Sequence, residues 1–308
     1  MLRIARCPGC GGEPVRHWPA LVAPFIAARA LRRPVETCAL LQCGSCDLRF
    51  FDLRFEQAEI ERLYRGYREE GYFRERHRYE PWYTRALNES RGGDPEGRKE
   101  CVLRALAPHA DLASVLSVLD YGGDAGQMIP DALGREKAVY ELSDVAPVPG
   151  VRRISLEEEL ADGYDVVLAS HVLEHHSEPS LLARKLRALT RDGGLLYLEV
   201  PWERTWLGLV GTGPLTEAYL RALARGGLAL RAIDFVSTAA RTFLGAVPPF
   251  GFLKLHEHLN FFDVRSLAAL AASAGFEVLS CERTSWLPGG RREVVVCVAR
   301  ATAPRAAG

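Results

Sequence analysis

The sequence predicts an α/β protein, a doubly wound and mostly parallel sheet finishing in an antiparallel hairpin, preceded by a small metal-bound ribbon. Three observations predict it. From about residue 111, apolar strand-like runs alternate with helical patterns. The first of these runs, "VLDYGGDAG" (Val118–Gly126), carries an apolar strand into an aspartate and a glycine-rich turn. Near the start stand two C-x-x-C turns, Cys7–Cys10 and Cys43–Cys46.

A chain of 308 residues holds one full α/β domain and small additions. Its 48% hydrophobic and 25% charged residues are ordinary for a soluble globular protein. Lys plus Arg equals Asp plus Glu at 39 each, so no global field draws the chain to nucleic acid or anionic membrane, and nucleic acid is not expected as a partner. Arginine dominates the basic residues and alanine is frequent, a compositional mark of a GC-rich bacterial genome. "MLRIARCPGC" has no apolar core ahead of its cysteines, so no secretory signal is expected. "WPALVAPFIAARALRRP" is too short, and too interrupted by proline and arginine, to be a transmembrane segment. With cysteines spaced as ligands rather than disulfides, the expected compartment is the cytoplasm.

Taken in order, residues 1–54 read as a zinc-ribbon module. Two ligands separated by two residues wrap one side of a tetrahedral zinc ion, and a second such turn closes the sphere, so Cys7, Cys10, Cys43 and Cys46 are the expected ligands of a structural Zn2+. The interval between the pairs is long for a ribbon and suggests an apolar helical insertion around residues 18–33; Cys38 is left as a plain strand residue or free thiol. A redox dithiol is the weaker reading, since neither pair starts a helix in a βαβ pattern. Residues 55–110 read as a helical linker or lid. Its "LYRGYREEGYFRERHRYEPWY" holds tyrosines and arginines that either stack on a nucleotide-like ligand or pack as an amphipathic surface.

Residues 111–308 carry the main domain. "SVLSVLDYGG", "AVYELSD", "GVRRIS", "YDVVLAS" and "GGLLYLEVP" are its successive strands. "SEPSLLARKLRALTRDGG" is a helix with Ser177 as N-cap, proline in the first turn and a glycine stop. A helical insertion, 202–255, is placed to act as a lid, as a contact for a homo-oligomer or, with its few and scattered basic residues, less readily as a membrane-resting helix. A helix capped by Asp263 then leads to "GFEVLSCER" and "REVVVCVAR", which should pair antiparallel.

Five parallel strands closed by such a hairpin, with an acid before the glycine turn, resemble the Rossmann-like seven-stranded sheet of class I S-adenosylmethionine-dependent methyltransferases, over roughly residues 111–308. The resemblance implies that S-adenosylmethionine is the cofactor. It puts Asp120 at the acidic position, Gly122, Gly123 and Gly126 in the cofactor turn, and Glu141, ending the second strand, on the ribose hydroxyls. Ser155 or Glu157 would meet the adenine. "ASHVLEHHSEP" resembles the fourth-strand signature lining the methyl-transfer site, which brings in Ser170, His175 and His176. Asp124 stands where the pattern has glycine or a small residue; it could pair with the cofactor's ammonium or repel its carboxylate.

"HEHLNFF" is similar to a motif of zinc-binding sugar methyltransferases, the deoxysugar C-methyltransferase group, whose histidine serves as base. That similarity implies a catalytic His258, with Glu257 and His256 beside it, and a small sugar-type substrate such as a nucleotide-sugar or polysaccharide precursor. Proton removal from a hydroxyl or a carbon acid near neutral pH suits histidine. The alternative for these histidines is to shape the pocket only. Two other functions compete: a zinc-ribbon rRNA guanine methyltransferase, and a non-catalytic scaffold with Asp124 as its mark.

Overall fold

The structure, a computed structural model, describes residues 2–303 apart from 68, 82, 87–94, 143–144, 156–162, 204–210, 245–246, 249 and 287–292. The N-terminal unit contains β1 (Leu2–Arg3), β2 (Pro14–Val22), β3 (Thr37–Cys43), β4 (Arg49–Phe51) and β5 (Leu53–Arg54). Strands β2, β3 and β4 form an antiparallel ribbon. The expected helical insertion at 18–33 is helical only in its second half: α1 (Pro24–Ile26) runs into a π-turn over Ala27–Leu31. Residues 18–22 belong to β2 instead. Pro19 explains the split, because inside a helix it removes a hydrogen bond and clashes with the preceding turn, whereas Pro24 is tolerated in the first turn. Cys38 lies buried and free in β3. Two helices follow, α2 (Gln57–Tyr64), opened by a Glu56–Glu59 capping box, and α3 (Glu70–His77).

The chain continues through α4 (Pro95–Leu106), β6 (Ser117–Tyr121), β7 (Glu136–Tyr140), β8 (Val151–Arg153), β9 (Tyr164–Ser170), α5 (Pro179–Leu189) and β10 (Thr190–Pro201). After them come α6 (Pro214–Ala224), α7 (Leu228–Leu244), β11 (Leu253–Leu255), β12 (Asn260–Phe261), α8 (Val264–Ser273), β13 (Phe276–Ser285) and β14 (Glu293–Ala301). The main sheet has seven strands in the order β13-β14-β10-β9-β6-β7-β8. Pairs among β6 to β10 are parallel, while β14 runs antiparallel to both β10 and β13. From β6 the chain steps outward to β7 and β8, then crosses back to β9 on the other side. The crevice at the carboxyl ends of β6 and β9 is therefore the topological switch point, where open α/β sheets bind ligands.

The connections depart from regular strand-helix alternation. Residues 122–135 and 141–142 with 145–150 are turns and bends, so no helix starts at the glycine loop. Pro130 and Gly134 interrupt the segment between β6 and β7. Its Ile129 and Leu133 join Cys101, Val102 and Leu106 of α4 in covering one sheet face. On the other face α5 and α8 pack beside the N-terminal unit, with Cys7, Cys43, Leu48 and Phe50 in the same core as Leu119, Val167 and Leu198. Helix α5 begins one residue later than expected. Glu178 is its N-cap, and Ser177 Oγ instead donates to Phe55 O at 2.9 Å. Asp263 caps α8 as expected, its carboxylate accepting from Ser266 N at 2.8 Å.

Short strands β11 and β12 leave the main sheet for the N-terminal one, β11 parallel to β2 and β12 antiparallel to β4. Residues 256–259 are thus strung between two strands of the N-terminal sheet. The insertion helices also rest on that unit, with Leu220, Leu223, Leu230 and Phe252 against Leu21. Among the described residues no helix is long and apolar enough to cross a membrane.

Candidate active site

The glycine loop begins as β6 ends. Asp120 is 3% exposed, and burial pushes its carboxyl up to about 7 against the opposing pull of Arg98. Gly123 must lack a side chain, since a Cβ there would lie 2.2 Å from the Asp120 carboxylate carbon. Gly122 and Gly126 both have positive φ, at 71° and 75°. Asp124 answers for its own position: its φ of 59° is the left-handed conformation a glycine would supply, and aspartate is one of the few residues that tolerates it. Its N–H donates to Glu141 Oε2 at 3.1 Å, and its Oδ2 accepts from Gln127 Nε2 at 3.1 Å. Glu141, just past β7, thereby ties two strand ends together. Ser170 ends β9 in the same crevice, while Ser155 lies exposed beyond β8; Glu157 falls outside the described residues. A cleft of about 510 Å3 opens beside the loop, lined by Gly126, Gln127, Lys99, Lys137 and Val151.

A second group follows β9. His171 also takes positive φ, 58°, and its N–H donates to Glu199 O at 2.8 Å. The imidazole lies 3.2 Å from Glu174 Oε1 through Nδ1 and 3.1 Å from Glu199 Oε1 through Nε2. Burial disfavours its charge, but the two carboxylates outweigh burial and raise its pKa to about 9. Glu199 also accepts from Arg98 Nη2 at 3.2 Å and from Tyr197 OH at 2.7 Å. These contacts overcome burial, with His171 foremost, and hold its carboxyl down at about 2. Sequence reasoning missed Arg98, His171, Glu174 and Glu199. The acids and His171 stood in view within the fourth- and fifth-strand segments, but their partners are far apart in sequence.

Of the four residues expected to be catalytic, the structure brings two together. His175 and His258 have ring centroids 4.6 Å apart, nearly perpendicular. Nδ1 of His175 lies 3.1 Å from the Glu257 carbonyl, which can only accept, so that nitrogen carries the proton; Tyr64 OH is 3.3 Å from it. Nε2 of His175 is 4.0 Å from Glu174 Oε1. Nδ1 of His258 is hydrogen-bonded to Glu203 Oε1. Burial and the neighbouring His258 lower the pKa of His175, whereas Glu203 raises that of His258 against burial. His176 turns away, its Nδ1 accepting from Glu178 N at 3.1 Å.

Glu257 and His256 sit apart in a buried ionic network. Arg76 Nη1 donates to Glu257 Oε1 at 2.7 Å and Arg76 Nε to Glu80 Oε2 at 2.9 Å, and Tyr72 OH donates to Glu257 Oε1 at 3.1 Å. Burial alone would raise the Glu257 carboxyl, but Arg76 and His256 bring it down to about 2. His256 Nε2 lies 2.7 Å from Glu80 Oε1, its ring stacked on Phe25. These two side chains fasten the histidine segment to α3 and to Glu80 just beyond it, while the Glu257 backbone carbonyl is what meets His175.

The four cysteines do converge. Cys7 and Cys46 Sγ are 3.6 Å apart, Cys10 and Cys43 Sγ 3.5 Å, and all four lie within 4.8 Å of one another. A tetrahedral ion with 2.3 Å bonds to sulfur needs separations of about 3.8 Å. Ser45 N donates to Cys43 Sγ at 3.4 Å, the backbone support a thiolate ligand wants.

A family model described as a methyltransferase domain matches residues 64–281. No curated protein matches the chain. Among solved structures, the chain is similar to magnesium protoporphyrin IX methyltransferase from Synechocystis PCC 6803 with bound SAH, at 16% identity over 68% of this chain and 84% of that one, TM-score 0.40. It is similar to 1,6-didemethyltoxoflavin-N1-methyltransferase from Burkholderia thailandensis at 18% identity over 68% and 80%, TM-score 0.39. An S-adenosylmethionine dependent methyltransferase from Mesorhizobium loti is 14% identical over 67% of this chain and 100% of its own, TM-score 0.40.

Proposed function

The chain belongs to the methyltransferase-domain family and is an S-adenosylmethionine-dependent methyltransferase, and on that premise we propose that it methylates a small sugar-type acceptor at the crevice between β6 and β9. The observation that carries this reading is the glycine loop. Asp124 supplies the left-handed turn in place of glycine, and Glu141 reaches the loop from the end of β7. The residues present fit the cofactor. Gly122 and Gly126 leave backbone bare at the turn, and a carboxylate offers about four acceptor positions, so Glu141 can hold Asp124 N–H and still accept ribose hydroxyls. Asp120 and Gly123 would shape the methionine end. When bound, the cofactor supplies an electrophilic methyl group on its sulfonium sulfur.

On the acceptor side, Tyr64, His175, His258 and Glu203 give a polar lining suited to hydroxyl groups. His258 is the proton acceptor: Glu203 fixes its Nδ1–H, which leaves Nε2 to take the proton of a substrate hydroxyl or carbon acid. Glu174 and His175 position that proton, while Glu257 and His256 hold the segment in place from behind. The four cysteines hold a structural zinc ion, since four thiols leave no open position. Calorimetric titration with S-adenosylmethionine and S-adenosylhomocysteine tests the reading. Glu141→Ala should weaken both by about 10- to 100-fold, the loss of charge-assisted hydrogen bonds worth about 1.5–3 kcal/mol, with the fold intact. Unchanged affinity would remove the ribose assignment, and no binding in folded wild type would leave only the scaffold.

A further inference from the structure

We infer that Glu174, His175 and His258 form a second metal site, open to solvent and built for a divalent first-row ion, with zinc the first candidate. Their donor atoms lie within 4.8 Å of one another. Zinc bonds of 2.0–2.1 Å to nitrogen and oxygen place tetrahedral ligands about 3.3 Å apart, so side-chain rotations moving the donors by about 1.5 Å at most would close the site.

Three features beyond proximity point to a ligand. Each imidazole has its Nδ1 engaged by a protein acceptor, His175 by the Glu257 carbonyl and His258 by the Glu203 carboxylate. That fixes the tautomers and turns both Nε2 lone pairs to use, the arrangement that metal-bound histidines show. Glu174 is 1% exposed; His171 Nδ1 lies 3.2 Å from its Oε1, and among the described residues its Oε2 has no hydrogen-bond partner. A buried carboxylate oxygen left over beside the His171 contact is a free ligand atom for an ion. The scaffold is also stiff: Glu174 O accepts from Leu259 N at 2.7 Å and Asn260 N at 3.1 Å, and Asn260 Nδ2 donates to Leu173 O at 2.9 Å and His176 O at 2.8 Å. These bonds clamp the turn after β9 onto the segment between β11 and β12, which is why histidines from two distant stretches meet.

Two histidines and one carboxylate leave coordination positions open, unlike the closed set of four thiols. The side chains of His175 and His258 are 29% and 32% exposed, so water or an acceptor oxygen can reach the ion. The role rests on the proposed function's placing the acceptor here, and it replaces the proton-acceptor role given there to His258 by metal ligation. A substrate hydroxyl coordinated to the ion loses its proton to solvent more readily. Its oxygen then takes the methyl group, and the sulfonium leaves as the neutral thioether. With the ion bound, His258 Nε2 is a ligand, and the proton passes to water instead of to that nitrogen.

The test titrates the metal-depleted full chain with Co2+, read by absorption, alongside zinc content by mass spectrometry. The expected result is two equivalents, one with near-ultraviolet thiolate bands and one with weak visible bands lacking sulfur character. The combined His175→Ala and His258→Ala variant should lose only the second, with the thiolate bands and circular dichroism reporting an intact fold. The milder His258→Gln, on the solvent side, should weaken the second by about tenfold or more. A single equivalent in wild type, or a second that survives unchanged in the double variant or in His258→Gln, would overturn the inference. Cofactor titration of the same preparations keeps the two readings apart: a second ion without cofactor binding defeats the proposed function alone, and cofactor binding without a second ion defeats this inference alone.

Discussion

Asp120, in the last part of β6, and Asp124, in the turn that follows, stand four residues apart, and their environments give them opposite roles. Asp124 is partly accessible, and its carboxylate accepts from Gln127, a contact that closes the loop on itself. Asp120 is buried, and its pKa stands at about 7 in the fold against an ordinary 3.8. For a group raised on folding, the stabilising contribution is full below the unfolded value and is lost as the pH rises through the folded one. Wild type should therefore lose stability relative to Asp120→Asn between about pH 4 and pH 7, by on the order of a few kcal/mol. Urea unfolding of both proteins at pH 4.5 and 8 measures this, and a gap that stays constant across those values would show that Asp120 is ionised throughout. Residue roles of this kind were partly legible. The acid and glycines of the turn were readable because spacing is local, and so was the Asp263 cap. Glu174 was not, because in "LEHH" three adjacent polar residues look alike until the fold turns Glu174 inward and His176 against the Glu178 N–H.

The turn after β9, the segment joining β11 to β12, and α3 meet at one place, and they come from three separate parts of the chain. Sequence patterns showed α3 as an arginine- and tyrosine-rich helix and the histidine segment as a motif, but periodicity carries no information on which element receives which. The pairing is ionic. Arg76 on α3 is 6% exposed and holds Glu80 and Glu257 with direct hydrogen bonds. Glu257 is therefore a fastening between elements, and removing it leaves the guanidinium in a low-dielectric site with one counter-charge fewer. Glu257→Ala should destabilise the protein by about 3–5 kcal/mol, the cost of breaking a buried pair. Thermal unfolding reads the loss; a fully stable variant with lower turnover would instead restore Glu257 to the reacting atoms. The helices missing beside β7 were equally beyond pattern reading. Strand-like runs were visible, but Pro130 and Gly134 break the link between β6 and β7, and the sheet face is closed by Ile129, Leu133 and α4.

The two units of the chain share more than a linker. Cys7, Cys43, Cys46, Leu48 and Phe50 lie in one core with strands β6, β9 and β10, and with α5 and α8. Phe51 N donates to Leu259 O at 3.0 Å, Ser180 N to Pro8 O at 3.3 Å, and Arg265 pairs with Asp47 beside the second cysteine turn. An ion held by the proposed cysteine site would consequently brace part of the sheet's own core, because the thiol-bearing turns pack into it. A module folded independently would melt separately from the sheet. This one should not: Cys43→Ser, which opens the thiol set without touching the histidine site, should lower the midpoint of a single cooperative transition and weaken cofactor binding with it. Differential scanning calorimetry with and without S-adenosylhomocysteine distinguishes the cases. Two separated transitions, with the cofactor-responsive one unmoved by Cys43→Ser, would show that the ribbon is an attachment, whereas one shifted transition makes the ion part of the catalytic domain's own core.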